Sequence, residues 1–235
     1  MPTPTIEILR PPGPSATRAC HSPPFSPTSY PSVPPTFLSA LAVRFAVFVD
    51  EQHCSAAEEI DKDDGVSWHW VAYAIEDGAA GNEHRRIPAG TIRLVPVAPV
   101  PTHQEDSLDA QIALGPKHGK TGMWDGKEAF VKLGRMATLK EYRKLGLGRR
   151  LVDEAIEWLE GNHEKVVGKV GAEANDKETE RMQAMGKWNG LVLVHAQKVI
   201  ERFWASCGFV RDRGMGEWWE DGIEHVAMWR RVMVR

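Results

Sequence analysis

The chain has 235 residues and a formal net charge of −3. That length suffices for an α/β domain with a sizeable core, and that charge gives no reason to expect nucleic acid or an anionic membrane surface as partner. No apolar run approaches the roughly 18 residues of a membrane span, and no basic segment leading into an apolar core opens the chain. Cys20, Cys54 and Cys207 are few, odd in number and far apart, and the nine histidines are scattered. They read as reduced thiols in a cytoplasmic or nuclear protein, with neither a disulfide framework nor a metal site expected.

Residues 1–35 hold most of the prolines. That density predicts extended loop and argues against a helix, with Ile6 to Leu9 as a candidate short first strand; the alternative is a disordered tail. The main domain is expected over 36–235. Phe37, Leu38, Leu41, Phe45 and Phe48 recur at helical spacing from Thr36 onward. An acidic stretch follows, with Asp50, Glu51, Glu58, Glu59, Asp61, Asp63 and Asp64; it reads as a solvated face, or as a selector of a cationic amine. Trp68 to Ile75 and Gly90 to Val97 read as strands, with a turn around Gly78, Gly81 and Asn82.

Pro96 to Lys127 is a polar insertion, longer than most connections. Ala129 to Met136 predicts a strand. Gly148 to Glu160 predicts a helix with Leu151, Val152, Ala155, Ile156 and Leu159 on one face, ended by Gly161 and Asn162. Gly171 to Gly190 is a second polar insertion. Leu191 to Val194 predicts a short strand. Ala196, Val199, Ile200, Phe203 and Cys207 trace a helix stopping at Gly208, and His225 to Val232 a last strand. The alternation implies an α/β fold, a mixed, mostly antiparallel sheet flanked by helices.

The most informative stretch is Val131 to Thr138 followed by Arg143-Lys144-Leu145-Gly146-Leu147-Gly148-Arg149-Arg150. A strand leads through a short loop and a glycine pair into an amphipathic helix. Glycines let the backbone turn and bring N–H groups toward an anion, and a helix N-terminus adds unpaired donors and partial positive charge. Arg143, Lys144 and Arg149 supply full charges. The spacing matches neither a nucleotide P-loop nor a dinucleotide-binding fingerprint.

This stretch resembles the GNAT acyltransferase superfamily, whose signature Q/R-x-x-G-x-G/A lies at such a strand–helix junction. Phe203-Trp204-Ala205-Ser206-Cys207-Gly208-Phe209 is similar to the F-Y-x-x-x-G-F that closes a later helix in that family. More narrowly, Arg44 to Gln52 and Glu220 to Met228 resemble the R-x-x-V-F-V-x-E-Q and E-D-G-I-P-H-x-x-M of its ElaA-like branch, with Glu224 where that branch has Pro. Glyphosate-type acetyltransferases share a related architecture.

The resemblance implies a GNAT fold and acetyl transfer from acetyl-CoA to a small-molecule amine by direct attack. The coenzyme A pyrophosphate would sit on Arg143, Lys144, Leu145, Gly146, Leu147, Gly148 and Arg149. Met136, Ala137 and Thr138 would pair with the pantetheine arm, and a backbone N–H between Arg135 and Thr138 would face the carbonyl oxygen. His225 matches the catalytic histidine at the start of the last strand, and histidine titrates near neutrality; Glu51 is the competing base. Trp204 stands where many relatives carry a tyrosine that protonates the leaving thiol, a step an indole cannot perform. Arg44 and Arg135 are candidates for holding an anionic group on the substrate, although Arg44 could instead pair with Asp50 or Glu51. Trp219 is a candidate stacking platform. The acceptor could be an amino sugar, amino acid or polyamine; a peptide acceptor and a non-catalytic acyl-CoA-binding protein are the competing readings. Edge strands would also permit a homodimer.

Overall fold

Residues 4–77, 84–97, 122–167 and 187–234 are described in the computed structural model. They divide between two units, Met1–Val95 with Gly134–Ala155, and Pro96–Leu133 with Ile156–Arg235. The expected turn at Gly78 to Asn82 and most of the two polar insertions lie outside the described residues.

In the first unit, β1 (Thr5–Leu9) runs antiparallel to β2 (Trp68–Asp77), which pairs antiparallel with β3 (His84–Val95). The candidate first strand is therefore present, and β3 begins at His84, earlier than the apolar pattern suggested, because polar residues continue the ladder. Against the expectation of unbroken loop, a helix α1 spans Pro14–Ala19. Its proline occupies the first turn, where a missing N–H costs nothing, and Ser15 to Ala19 contain none.

Helix α2 (Pro35–Arg44) packs Phe37, Leu38 and Leu41 against Ala16, Cys20 and Val33. Phe37, Leu38 and Leu41 are at most 1% exposed, so each contributes on the order of 2 kcal/mol of burial. Ala40 meets Val71 and Tyr73 of β2. The helix then widens into a π-helical turn over Phe45–Glu51, with the Gln52 N–H reaching back five residues to the Val47 carbonyl. A short helix α3 (Ala56–Glu59) follows.

Strand β4 (Val131–Thr138) carries the chain onward to helix α4 (Leu147–Asn162). The apolar face of α4 is as expected, with Leu151, Val152, Ala155, Ile156 and Leu159 buried, but the helix continues through Gly161 rather than stopping there. Gly90 marks a close approach: a Cβ there would lie 3.1 Å from Leu151 Cδ1 and 3.2 Å from the Ala137 carbonyl oxygen.

In the second unit, Val131, Lys132 and Leu133 of β4 run parallel to Val192, Leu193 and Val194 of β5 (Leu191–Gln197). β5 pairs antiparallel with β8 (Ile223–Arg231), and β8 also pairs antiparallel with β6 (Val210–Arg211) and β7 (Glu217–Glu220). The expected helix from Ala196 is a correction: Ala196 belongs to β5, and a 3-10 turn at Lys198–Ile200 precedes the shorter α5 (Glu201–Ser206). Val199 is consequently 85% exposed rather than buried. β7 was not anticipated. It joins β8 through Asp221 and Gly222, both at positive φ (49° and 74°), the two-residue turn that Asp-Gly favours. The core here gathers Trp124, Leu191, Leu193, Met215, Trp218, Ala227 and Trp229.

Candidate active site

The glycine turn has the shape an anion site requires. Lys144 (φ 64°) and Gly146 (φ 77°) both adopt left-handed backbone before α4 begins at Leu147. A Cβ built on Gly146 meets nothing within 4 Å, and Lys144, Leu145 and Gly146 are exposed. The first N–H groups of α4 have no intrahelical acceptor, so donors and helix dipole open onto the same free surface. Lys144 is exposed beside them, whereas Arg149 forms a surface pair with Asp153 at 2.9 Å. These residues fit a pyrophosphate.

Upstream, Arg135 has φ 49° in the middle of β4. A non-glycine residue in this region costs about 1–3 kcal/mol and persists only where its surroundings enforce it. The parallel register with β5 is recorded only as far as Leu133, two residues earlier. Sequence could not reveal this left-handed residue, because nothing in Gly134-Arg135-Met136 demands it.

Arg143 does more than offer charge. Its Nε donates to the Thr138 carbonyl at 3.0 Å, and its two terminal nitrogens clasp the Glu51 carboxylate at 2.6 Å each. Hydrogen bonding to Arg143 holds the Glu51 carboxyl below the usual range, a poor setting for a base operating near neutral pH. Asp50, Glu51, Val47, Leu139 and Lys140 line a shallow cavity of about 280 Å³ between the π-helical turn and the segment after β4.

Arg44 lies elsewhere than either expectation placed it. It is fully buried, with Nε on Glu59 at 2.5 Å and Nη1 and Nη2 on Asp64 at 2.7 and 3.1 Å. Arg93 of β3 joins the same group, donating to Asp64 at 2.8 Å and to Asp61 at 2.7 and 2.9 Å. Burial alone would raise the Asp64 carboxyl, but Arg44 and Arg93 overcome it and hold it far below the usual range. His69 donates from Nε2 to the Asp64 carbonyl at 3.0 Å, and burial drives its pKa down to about 4. Arg135 reaches the edge of this group, with Nη2 3.1 Å from Asp61 and 3.2 Å from the Glu58 carbonyl. Fully buried, Arg44 has no fork to offer a substrate carboxylate, whereas Arg135 is 31% exposed. Glu59, Asp61 and Asp64 of the acidic stretch thus belong to an ion-pair network, while Asp50, Glu51 and Glu58 stay exposed.

In the second unit, His225 pairs across the hairpin with Trp218, whose ring stacks on it at 25° and 6.2 Å. His225 Nδ1 lies 2.9 Å from the Ile223 carbonyl. A carbonyl only accepts, so Nδ1 carries a proton, and in the neutral ring Nε2 is the nitrogen left to accept one. Trp218 is fixed in turn by Glu220, which accepts from its indole at 2.6 Å, and by the edge-on ring of His195 at 4.9 Å. His195, overlooked in the sequence, is buried, lies 3.0 Å from Lys132 Nζ through Nδ1, and leaves Nε2 without a partner. Burial, then Lys132 and His225, hold it well below its ordinary pKa. Its signal was a histidine ending the apolar run Leu191 to Val194. Trp219, on the opposite face of β7, is 70% exposed.

Trp204 is buried and packs edge-on against Phe203 and Phe209. Tyr30 donates to the Ser22 carbonyl at 2.6 Å. Tyr142 donates to Glu76, which raises its pKa to about 12.

Residues 44–186 match the model of the Acetyltransferase (GNAT) family. The chain belongs to that family and is an acyl-CoA-dependent acetyltransferase. A Bacillus subtilis (strain 168) protein bearing the name "Putative acetyltransferase" is 28% identical over 193 residues, covering 81% of this chain and 86% of its own. The crystal structure of Escherichia coli ElaA aligns with a TM-score of 0.50 at 18% identity, over 97% of this chain and all of that one. FeeM, an N-acyl amino acid synthase from uncultured soil microbes, aligns at 0.50 with 10% identity, over 99% and 92% of the two chains. At such identities the structural likeness speaks for the fold alone, and the observed mixed sheet with flanking helices agrees with it.

Proposed function

We propose that this protein transfers an acetyl group from acetyl-CoA to the primary amine of a small molecule. The observation that carries the reading is the turn Arg143 to Gly148, with two left-handed residues, an open face and the start of α4 beside it. Arg143, Lys144, Leu145, Gly146, Leu147, Gly148 and Arg149 would hold the pyrophosphate, and Met136, Ala137 and Thr138 the pantetheine arm by strand-like pairing. Bound acetyl-CoA supplies an activated acyl thioester.

His225 takes the proton of the attacking amine on Nε2, the nitrogen its contact to Ile223 leaves basic. Backbone N–H groups between Arg135 and Thr138 donate to the acyl carbonyl oxygen, fixed donors that need no reorganisation. Glu51 orients Arg143 instead of acting as base. Trp204 cannot supply the proton that the tyrosine of many relatives gives, and a thiol with pKa about 8.5 leaves unaided. Trp219, which pairs with Glu224 and faces away from His225, is left out of this acceptor site. All of these residues lie in 36–235, to which β1 adds an edge strand.

The test is thiol release from acetyl-CoA against a panel of glucosamine, amino acids and spermidine. Turnover of one of them, lost in His225→Ala with acetyl-CoA affinity retained, supports the reading. Binding without turnover across the panel, but with turnover of N-terminal peptides, would replace the small-molecule acceptor by a protein one.

A further inference from the structure

We infer that Asp61 is a positioning residue: it holds Arg135 in its left-handed conformation within β4, and so sets the backbone donors that follow. The inference rests on the acetyltransferase reading for its catalytic consequence and on geometry alone for the clamp.

Both oxygens of the Asp61 carboxylate are held by hydrogen bonds. Its Oδ1 accepts from the backbone N–H of Asp63 at 2.9 Å and of Asp64 at 3.1 Å, and from Arg93 Nη1 at 2.7 Å. Its Oδ2 accepts from Arg93 Nη2 at 2.9 Å and from Arg135 Nη2 at 3.1 Å. Arg93 is itself tied to Asp64, and Asp64 to the fully buried Arg44. A continuous run of charge-assisted hydrogen bonds therefore leads from α2 through β3 to one oxygen aimed at the Arg135 guanidinium. Arg135 Nη2 also donates to the Glu58 carbonyl at 3.2 Å, and its Nε lies 3.7 Å from Glu59.

The far end of that run is the residue at φ 49°. Arginine gains nothing from left-handed backbone in a strand, since its Cβ crowds the following carbonyl. The conformation is held by the side chain, anchored at its tip by a carboxylate that cannot turn. An arginine that only bound substrate would need neither the strained φ nor a locked acidic partner.

Glycine separates the two roles, because it adopts φ 49° without strain and has no guanidinium. Amide hydrogen exchange at Met136, Ala137 and Thr138 is compared in free wild type, Arg135→Ala and Arg135→Gly. Alanine has the backbone penalty without the clamp, so exchange there should rise about tenfold, while glycine stays within about threefold of wild type. Asp61→Asn should move in the direction of alanine. With the amine turned over by wild type, Arg135→Ala should lower kcat with little change in KM for acetyl-CoA, and Arg135→Gly should recover most of that loss. Equal exchange in all three proteins, or equal loss of kcat in alanine and glycine variants, would overturn the clamp. Exchange is read without any ligand, so it judges the clamp even if wild type fails to bind acetyl-CoA, an outcome that would instead remove the acetyltransferase reading.

Discussion

Arg44→Ala tests whether the buried network is structural. Arg44 is fully buried and serves two carboxylates, Glu59 at 4% exposure and Asp64 at 0%. Without it, Asp64 keeps Arg93 at 2.8 Å, but the nearest remaining cation to Glu59 is Arg135 at 3.7 Å. Breaking a buried pair from one side costs about 3–5 kcal/mol because the other charge stays buried. Arg93 compensates Asp64, so the lower end, about 3 kcal/mol, is expected. Urea denaturation followed by tryptophan fluorescence reads this as a lower midpoint at unchanged slope. The Asp64 carboxyl is held below its unfolded value, so its stabilisation is complete above pH about 4 and fades as pH falls toward the folded value. The variant's deficit should therefore shrink in strong acid. A loss below about 1 kcal/mol, with KM for the amine raised, would refute the argument and return Arg44 to substrate binding.

Three further outcomes follow from the same geometry. His69 has its folded pKa lowered to about 4 from 6.5, so the unfolded chain binds the extra proton between those values; stability is full above pH 6.5 and falls by roughly 3 kcal/mol toward pH 4. Denaturation midpoints of His69→Gln should show a flatter pH dependence across that window. Gly190→Ala places a Cβ 2.2 Å from the Val232 carbonyl oxygen at φ 91° and should destabilise by about 2 kcal/mol or more, whereas Gly134→Ala, with nothing within 4 Å, should cost little by the same thermal melt. Glu51→Gln removes a half-exposed pair and should change stability by less than about 1 kcal/mol. It should also leave the activity midpoint in the pH–rate profile in place; a displaced midpoint would make Glu51 the base.

Local signals carried most of the fold. The spacing of Phe37, Leu38 and Leu41 located α2, and the apolar face from Leu151 to Leu159 located α4, because each reports one element's own periodicity. The turn from Arg143 to Gly148 was equally legible, since its glycines and cations are contiguous. What stayed hidden depends on distant partners. Glu59, Asp61 and Asp64 read as a surface run until β3 and α2 brought Arg93 and Arg44 against them. The left-handed backbone at Arg135 borders that network and has no counterpart in its neighbours in sequence. Two local signals were present and outweighed: Asp221-Gly222 marked a hairpin, and a proline at the first helical position allowed α1 within a proline-rich segment.

The central claim is that the turn before α4 holds the pyrophosphate of acetyl-CoA. Calorimetric titration of the full chain with acetyl-CoA, repeated with Lys144→Ala and Gly146→Val, tests it most directly. The account predicts saturable binding by wild type, weaker in both variants and weaker for all three as salt rises. No binding by wild type, or equal affinity in the three proteins, would contradict it.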